Sequence, residues 1–311
     1  MSLSQRLSLP DGRGLAYTRS GPETAAVLLC LPGLLETRQT FDPLIQQAEA
    51  AGLDLQIISL DWCARGDSDP LPGDIGYAFS VYLQDLNHAI AALVPDTSRA
   101  LNLLGTSMGG LLAFYYVAQG RRPVAHILLN DIGLSLDWTS ILGLYRGGAD
   151  EGLRQDPLAW ARALRVTPGA LQGVASPQHF DMPYQKSLRG MRFEACLKGF
   201  TGQLSLVHGG LSEVCRPHQV QELKQRFPQA RVMSVPTAAH PVPFTSAVID
   251  FLLTALPVPT TTATATSTAT ATATATVPPP DSATTPSPGP ALGWREALRK
   301  WWQRLRHPPA P

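Results

Sequence analysis

Cysteine is scarce in this chain: Cys30, Cys63, Cys196 and Cys215 are spread over 311 positions with no Cys-x-x-Cys pair. That spacing gives no disulfide framework and no zinc site, and the thiols read as buried or incidental. Long apolar runs are also missing, since none reaches the roughly 18 consecutive residues of a membrane-spanning helix. The first residues, Met1 to Gly14, mix polar and charged side chains and lack the basic start and apolar stretch of a secretory signal, so a cytoplasmic location is expected. Net charge is small, formally +1, which argues against a body that binds nucleic acid by electrostatics. No motif calls for a metal or an organic cofactor.

The near-neutral total hides two unlike parts. Residues 257–311 hold five Arg or Lys against two Asp or Glu, whereas the rest holds 20 basic against 22 acidic residues. The composition also changes after Leu256, to an alternating Thr-Ala run from Thr262 to Thr276 and then a Pro-rich stretch to Pro290. Such a segment has too little apolar surface to fold, so 259–290 is expected to be a disordered linker. Beyond it, Trp294, Leu298, Trp301, Trp302 and Leu305 fall on one helical face, with Arg295, Arg299, Lys300, Arg304 and Arg306 marking the other as basic. Residues 291–307, and 293–307 in particular, therefore predict a basic amphipathic helix. It suits either an anionic membrane, lipid or polyester surface, or docking on the body of the chain or on a partner protein.

In residues 1–258 strand-like and helix-like segments alternate. Residues 5–20 read as a hairpin turning at Asp11-Gly12-Arg13-Gly14. The apolar runs Ala25–Leu31, Leu55–Leu60, Ala100–Leu104, His126–Leu129, Leu204–Val207 and Arg231–Val235 suit strands buried on both faces of a mostly parallel sheet. Helices are expected at 41–51, 81–93, 110–119, 217–227 and 246–256, which makes an α/β architecture with helices flanking the sheet. About 70 residues, 132–203, separate two consecutive strands, with helical pieces near 140–145 and 157–164. That length predicts a helical cap insertion that shapes a substrate pocket, a packed decoration being the alternative.

The chemistry centres on Gly105-Thr106-Ser107-Met108-Gly109, which follows one apolar run and precedes another. Strand, Gly-x-Ser-x-Gly, helix is the nucleophile elbow of a hydrolase, and its strained turn demands glycine-sized neighbours. A serine hydroxyl needs a base, and the base needs an orienting acid. His240, between the last strand and the last helix, is the one histidine placed to serve as base. Two carboxylates stand at strand ends for the acid: Glu213 is preferred, because the loop after that strand more often supplies it, and Asp131 is the alternative or a supporting residue. An oxyanion hole would take one N–H from Met108, at the positive end of a helix, and one from Leu34 in Leu31-Pro32-Gly33-Leu34.

Taken in order, the Leu31-Pro32-Gly33-Leu34 loop, Asp61-Trp62-Cys63-Ala64-Arg65-Gly66-Asp67-Ser68-Asp69, the serine elbow, Asn130-Asp131-Ile132-Gly133 and the Glu213 and His240 loops resemble the α/β-hydrolase superfamily, in its serine esterase, lipase and C–C hydrolase branch, over residues 5–256. The sequence departs from the family pattern in carrying Pro32 where many relatives have histidine, Glu213 where aspartate is usual, Ala239 where glycine commonly precedes the histidine, and Cys63-Ala64 in place of an Arg-Gly pair. The resemblance implies the α/β-hydrolase fold and a serine hydrolase that cleaves carboxylic esters of a small-molecule or acyl substrate through an acyl-enzyme. C–C bond or lactone hydrolysis would use the same residues, and a noncatalytic binding scaffold would use none of them. In the insertion, Trp138, Tyr145, Trp160, Phe180, Met182 and Tyr184 would line an acyl pocket or pack its core.

Overall fold

The computed structural model describes residues 4–72, 76–140, 156–164 and 190–256. The chain divides into two units, Met1–Pro257 and Val258–Pro311, and the described residues all belong to the first. The expected linker and amphipathic helix lie outside the described residues.

Apolar runs with no polar alternation have to be covered on both faces, and the chain does this with one eight-stranded sheet. Its strands are β1 (Gln5–Ser8), β2 (Gly14–Ser20), β3 (Ala26–Leu31), β4 (Leu55–Leu60), β5 (Leu101–Thr106), β6 (His126–Asn130), β9 (Gln203–Gly209) and β10 (Arg231–Val235). They lie in the order β1-β2-β4-β3-β5-β6-β9-β10. The hairpin β1–β2 and the β2–β4 pair are antiparallel, and every later pair is parallel.

Helices α1 (Asp42–Ala50), α2 (Phe79–Leu93), α3 (Met108–Ala118), α5 (Pro217–Arg226) and α6 (Ser246–Ala255) make the crossovers and close the unit. Because side chains alternate along a strand, Leu28 and Cys30 of β3 point to one face. There they join Leu104, Leu128 and Val207 against Leu44, Ile45 and Ala48 of α1 and Val248, Ile249 and Leu252 of α6. On α3, Leu111 to Tyr116 are all buried, which explains its unbroken apolar sequence.

The strands run slightly past their apolar runs. β9 begins at Gln203, an exposed residue that pairs with His126, because the hydrogen-bond ladder rather than hydrophobicity ends a strand.

Within 132–203, β7 (Ser135–Asp137) pairs antiparallel with β8 (Gly190–Arg192), and α4 (Pro157–Leu164) lies between them in sequence. Trp138 and Trp160 are buried. The helical piece expected near 140–145 lies beyond residue 140 outside the described residues, as do Tyr145, Phe180, Met182 and Tyr184.

Candidate active site

The parallel strands all point the same way, so the loops that leave β3, β5, β6, β9 and β10 gather along one edge. Ser107 stands in the first of the sharp turns there, between β5 and α3, with φ 48° and ψ −113°. Its two glycines are dictated by space. A Cβ on Gly105 would lie 2.4 Å from Gly110 N, and one on Gly109 would lie 2.0 Å from Leu31 O.

His240, in the loop after β10, brings Nε2 to 2.9 Å from Ser107 Oγ. Its Nδ1 lies 2.9 Å from Asp131 Oδ2. Asp131 follows β6 with φ 57°, a left-handed conformation that aspartate tolerates better than most side chains. Its other oxygen, Oδ1, accepts from Gly209 N at 2.8 Å. Asp131 is fully buried and His240 nearly so, which leaves partly exposed Ser107 as the accessible member of the line.

Of the two carboxylates expected at strand ends, the one in contact with His240 is the alternative, Asp131. Nδ1 of an imidazole has one in-plane partner, and here that partner is Asp131, not Glu213. Glu213 stands four residues past the end of β9, and its backbone carbonyl accepts from Ser140 Oγ at 2.7 Å. The end of β9 meets the histidine line through Gly209 N–H instead.

Leu34 lies in the loop after β3, beside Ser107: a Cβ on the adjacent Gly33 would be 3.5 Å from Ser107 Cβ. Met108 opens α3, so its N–H belongs to the helix's unpaired first turn. Ser107 O accepts from Gly110 N and Leu111 N, which ties the elbow to that turn. Among the described residues, no group of three or more His, Cys, Asp or Glu is placed to hold a metal ion, and no helix is long and apolar enough to cross a membrane.

Residues 26–165 match the family model for the alpha/beta hydrolase fold. Solved structures agree across the described unit. A putative hydrolase from Rickettsia typhi superposes with TM-score 0.65 at 17% identity, over 82% of this chain and 98% of that one. The chain has the α/β-hydrolase fold.

An esterase from Rhodococcus sp. ECU1013 shares that fold with TM-score 0.58 at 18% identity, covering 82% of this chain and 98% of the other. In sequence, the chain is 29% identical over 280 residues to a 3-hydroxybutyrate-oligomer hydrolase of Cupriavidus necator, spanning 77% of this chain and 93% of that protein.

Further residues shape this site, though sequence reasoning assigned none of them a role in it. The Asp61 to Asp69 loop clamps its neighbours: Asp61 accepts from Arg38 N at 2.7 Å and from the Arg38 guanidinium, while Asp67 N donates to it at 3.0 Å. Gly66 has φ 53° and would place a Cβ against the Asp61 carboxylate. Burial pushes the Asp61 carboxyl up, and Arg38 and the Asp67 amide pull it back.

Glu36, buried beside Gly33, is pushed up to about 7 by burial, against the lowering pull of the Gly33 amide, His240 and the Thr106 hydroxyl. An acidic residue three places after the turn glycine, in an otherwise apolar loop, was the available signal.

The tightness of the elbow can be measured. Gly109→Ala is expected to cost about 3 kcal/mol or more, because its methyl meets backbone that cannot swing away. Gly52→Ala, at φ 62° in open space, should cost only about 1 to 2 kcal/mol of left-handed strain. Urea unfolding of the two variants separates these values, and equal losses would mean that the Leu31 contact does not constrain the turn.

Proposed function

We propose that the protein is a serine hydrolase acting on carboxylic esters, with Ser107 as nucleophile, His240 as general base and acid, and Asp131 as the orienting carboxylate. The observation that carries this reading is the continuous line from Ser107 Oγ through His240 to Asp131, with both contacts at 2.9 Å.

In the reaction, Ser107 Oγ attacks the ester carbonyl carbon as His240 Nε2 takes the hydroxyl proton. Negative charge passes to the carbonyl oxygen, where the N–H groups of Leu34 and Met108 donate to it. Collapse of the tetrahedral species breaks the C–O bond, and His240 gives its proton to the departing alcohol. Water then attacks the acyl-Ser107 carbonyl, losing a proton to His240; the acyl C–Oγ bond breaks to release the acid, and His240 returns that proton to Ser107 Oγ. Asp131, paired to Gly209 N–H on one oxygen, keeps the imidazole in the tautomer with Nδ1 protonated and balances its transient positive charge.

For the substrate, the name of the Cupriavidus necator relative, a 3-hydroxybutyrate-oligomer hydrolase, suggests short oligomers of a hydroxy acid, in which each linkage is a carboxylic ester. The test is to incubate the full chain with a fluorophosphonate probe and with linear 3-hydroxybutyrate dimers and trimers. Stoichiometric labelling together with release of free hydroxy acid supports the reading. A chain that takes no label and opens no ester overturns it, and a labelled chain that leaves the oligomers intact while cleaving simple esters overturns the substrate alone.

We also infer that the Trp-faced, basic segment 293–307 tethers the enzyme to an anionic lipid or polyester surface through the 259–290 linker. Deleting 259–311 should abolish co-sedimentation with anionic vesicles or polyester particles and leave turnover of a soluble ester within about twofold. Unchanged sedimentation removes the tether.

A further inference from the structure

We propose that Glu36 is the positioning residue of the oxyanion loop, fixing the Gly33–Leu34 peptide so that Leu34 N–H faces the carbonyl attacked by Ser107. The inference rests on the hydrolase reading above and extends it to a side chain outside the Ser107–His240–Asp131 line.

The argument is an account of backbone groups. In the loop from Pro32 to Leu34, Pro32 has no N–H, and its carbonyl accepts from Trp62 Nε1 at 2.7 Å. The Leu34 carbonyl accepts from Arg65 Nε at 2.7 Å. Glu36 closes the remainder with two reciprocal bonds: its own N–H donates to Gly33 O at 3.3 Å, and its Oε2 accepts from Gly33 N at 2.7 Å. Among the described residues, nothing accepts from Leu34 N–H, so this donor is left for a ligand. Its direction follows from planarity. In a trans peptide the C=O and the following N–H point oppositely, so drawing Gly33 O toward Glu36 turns Leu34 N–H the other way.

Next to this loop lies the elbow, where the Thr106 hydroxyl, one residue before Ser107, helps lower the Glu36 carboxyl against the effect of burial. Thr106 Oγ1 in turn receives Asn130 Nδ2 at 3.4 Å, and the same amide donates to Val242 O at 2.9 Å, two residues past His240. These contacts tie the residue before Ser107 to the histidine loop. A buried carboxylate is costly unless a donor holds it, and here the donor is Gly33 N–H of the oxyanion loop itself.

The titratable group facing Glu36 from another element is His240, itself faced by Asp131. With its carboxyl pushed up to about 7, Glu36 changes charge in the working range, and protonation gives the acceptor of Gly33 N–H a proton of its own to donate.

The test uses the full chain with a chromogenic short-chain ester and a trifluoromethyl ketone, which forms a tetrahedral adduct on the serine. Glu36→Ala should lower kcat by about 10² to 10³, the range for loss of one oxyanion donor, with KM within about twofold and ketone affinity falling in parallel. Glu36→Gln keeps an acceptor for Gly33 N–H. It should recover kcat to within about tenfold of the parent and remove the Glu36 ionisation from the pH dependence of kcat.

The proposal falls if Glu36→Ala leaves kcat unchanged, if it raises KM without affecting kcat, or if Glu36→Gln keeps the parent pH profile. Should Glu36→Ala fail to fold, the Gln profile and its ketone affinity decide alone. A parent chain that takes no fluorophosphonate label overturns the hydrolase reading and this proposal together, whereas a labelled parent with indifferent Glu36 variants overturns only the latter.

Discussion

Ser107→Ala should fold normally and lower kcat toward simple esters by about 10⁶, the scale seen when a hydrolase loses its nucleophile and keeps only its binding site. The substitution removes one oxygen from a partly exposed position and leaves untouched the glycines that permit the turn. Its effect on stability should therefore be small, or even favourable, since the strained φ of 48° remains in both proteins. Loss of fluorophosphonate labelling alongside loss of turnover is the paired result to measure. A variant that still hydrolyses esters within a hundredfold of the parent would mean that another group attacks the substrate, and the mechanism would have to be abandoned.

Exchanging each candidate acid for its amide comes next in size. Asp131→Asn should depress kcat by about 10⁴, because an amide in place of the carboxylate favours the wrong histidine tautomer and cannot balance the imidazolium. The geometry sharpens this expectation. Asp131 Oδ1 is fixed by Gly209 N–H, so the side chain cannot rotate freely to present its better atom, and His240 Nδ1 has no second acceptor among the described contacts. Glu213→Gln should stay within about fivefold of the parent. Measured with one soluble ester at saturating concentration, the reverse ranking would return the role to Glu213.

The contrast between these two carboxylates shows what could be read from the chain and what could not. The fold was legible because each buried strand is a short apolar run, and because helical periods separate the runs at crossover lengths. Ser107 and His240 were legible as a pair because the elbow is a local pattern and the histidine holds a fixed place between the last strand and the last helix; the structure brings the two within hydrogen-bond reach.

The partner of His240 was less legible because both acids follow strands, and composition does not say which will aim at the imidazole. That is decided by two things written across distant residues: a left-handed turn at Asp131 and an amide donor from Gly209, 78 positions later. Glu36 was harder still. Its two bonds are to the backbone of Gly33, three residues away, and they leave no periodic trace.

The pairing of β7 with β8 has an evolutionary corollary. Ser135 lies opposite Arg192, so the segment between them departs from the body and returns to it at nearly the same point. A stretch tethered at one narrow neck can be lengthened, shortened or exchanged for a foreign sequence at little entropic cost to the sheet, since closing a longer loop adds only about 0.6 kcal/mol per doubling. The neck marks Asp137 and Gly190 as the natural points of exchange. Exchanging the chain between Asp137 and Gly190 for the equivalent stretch of another protein of this fold is then expected to leave the eight-stranded sheet intact.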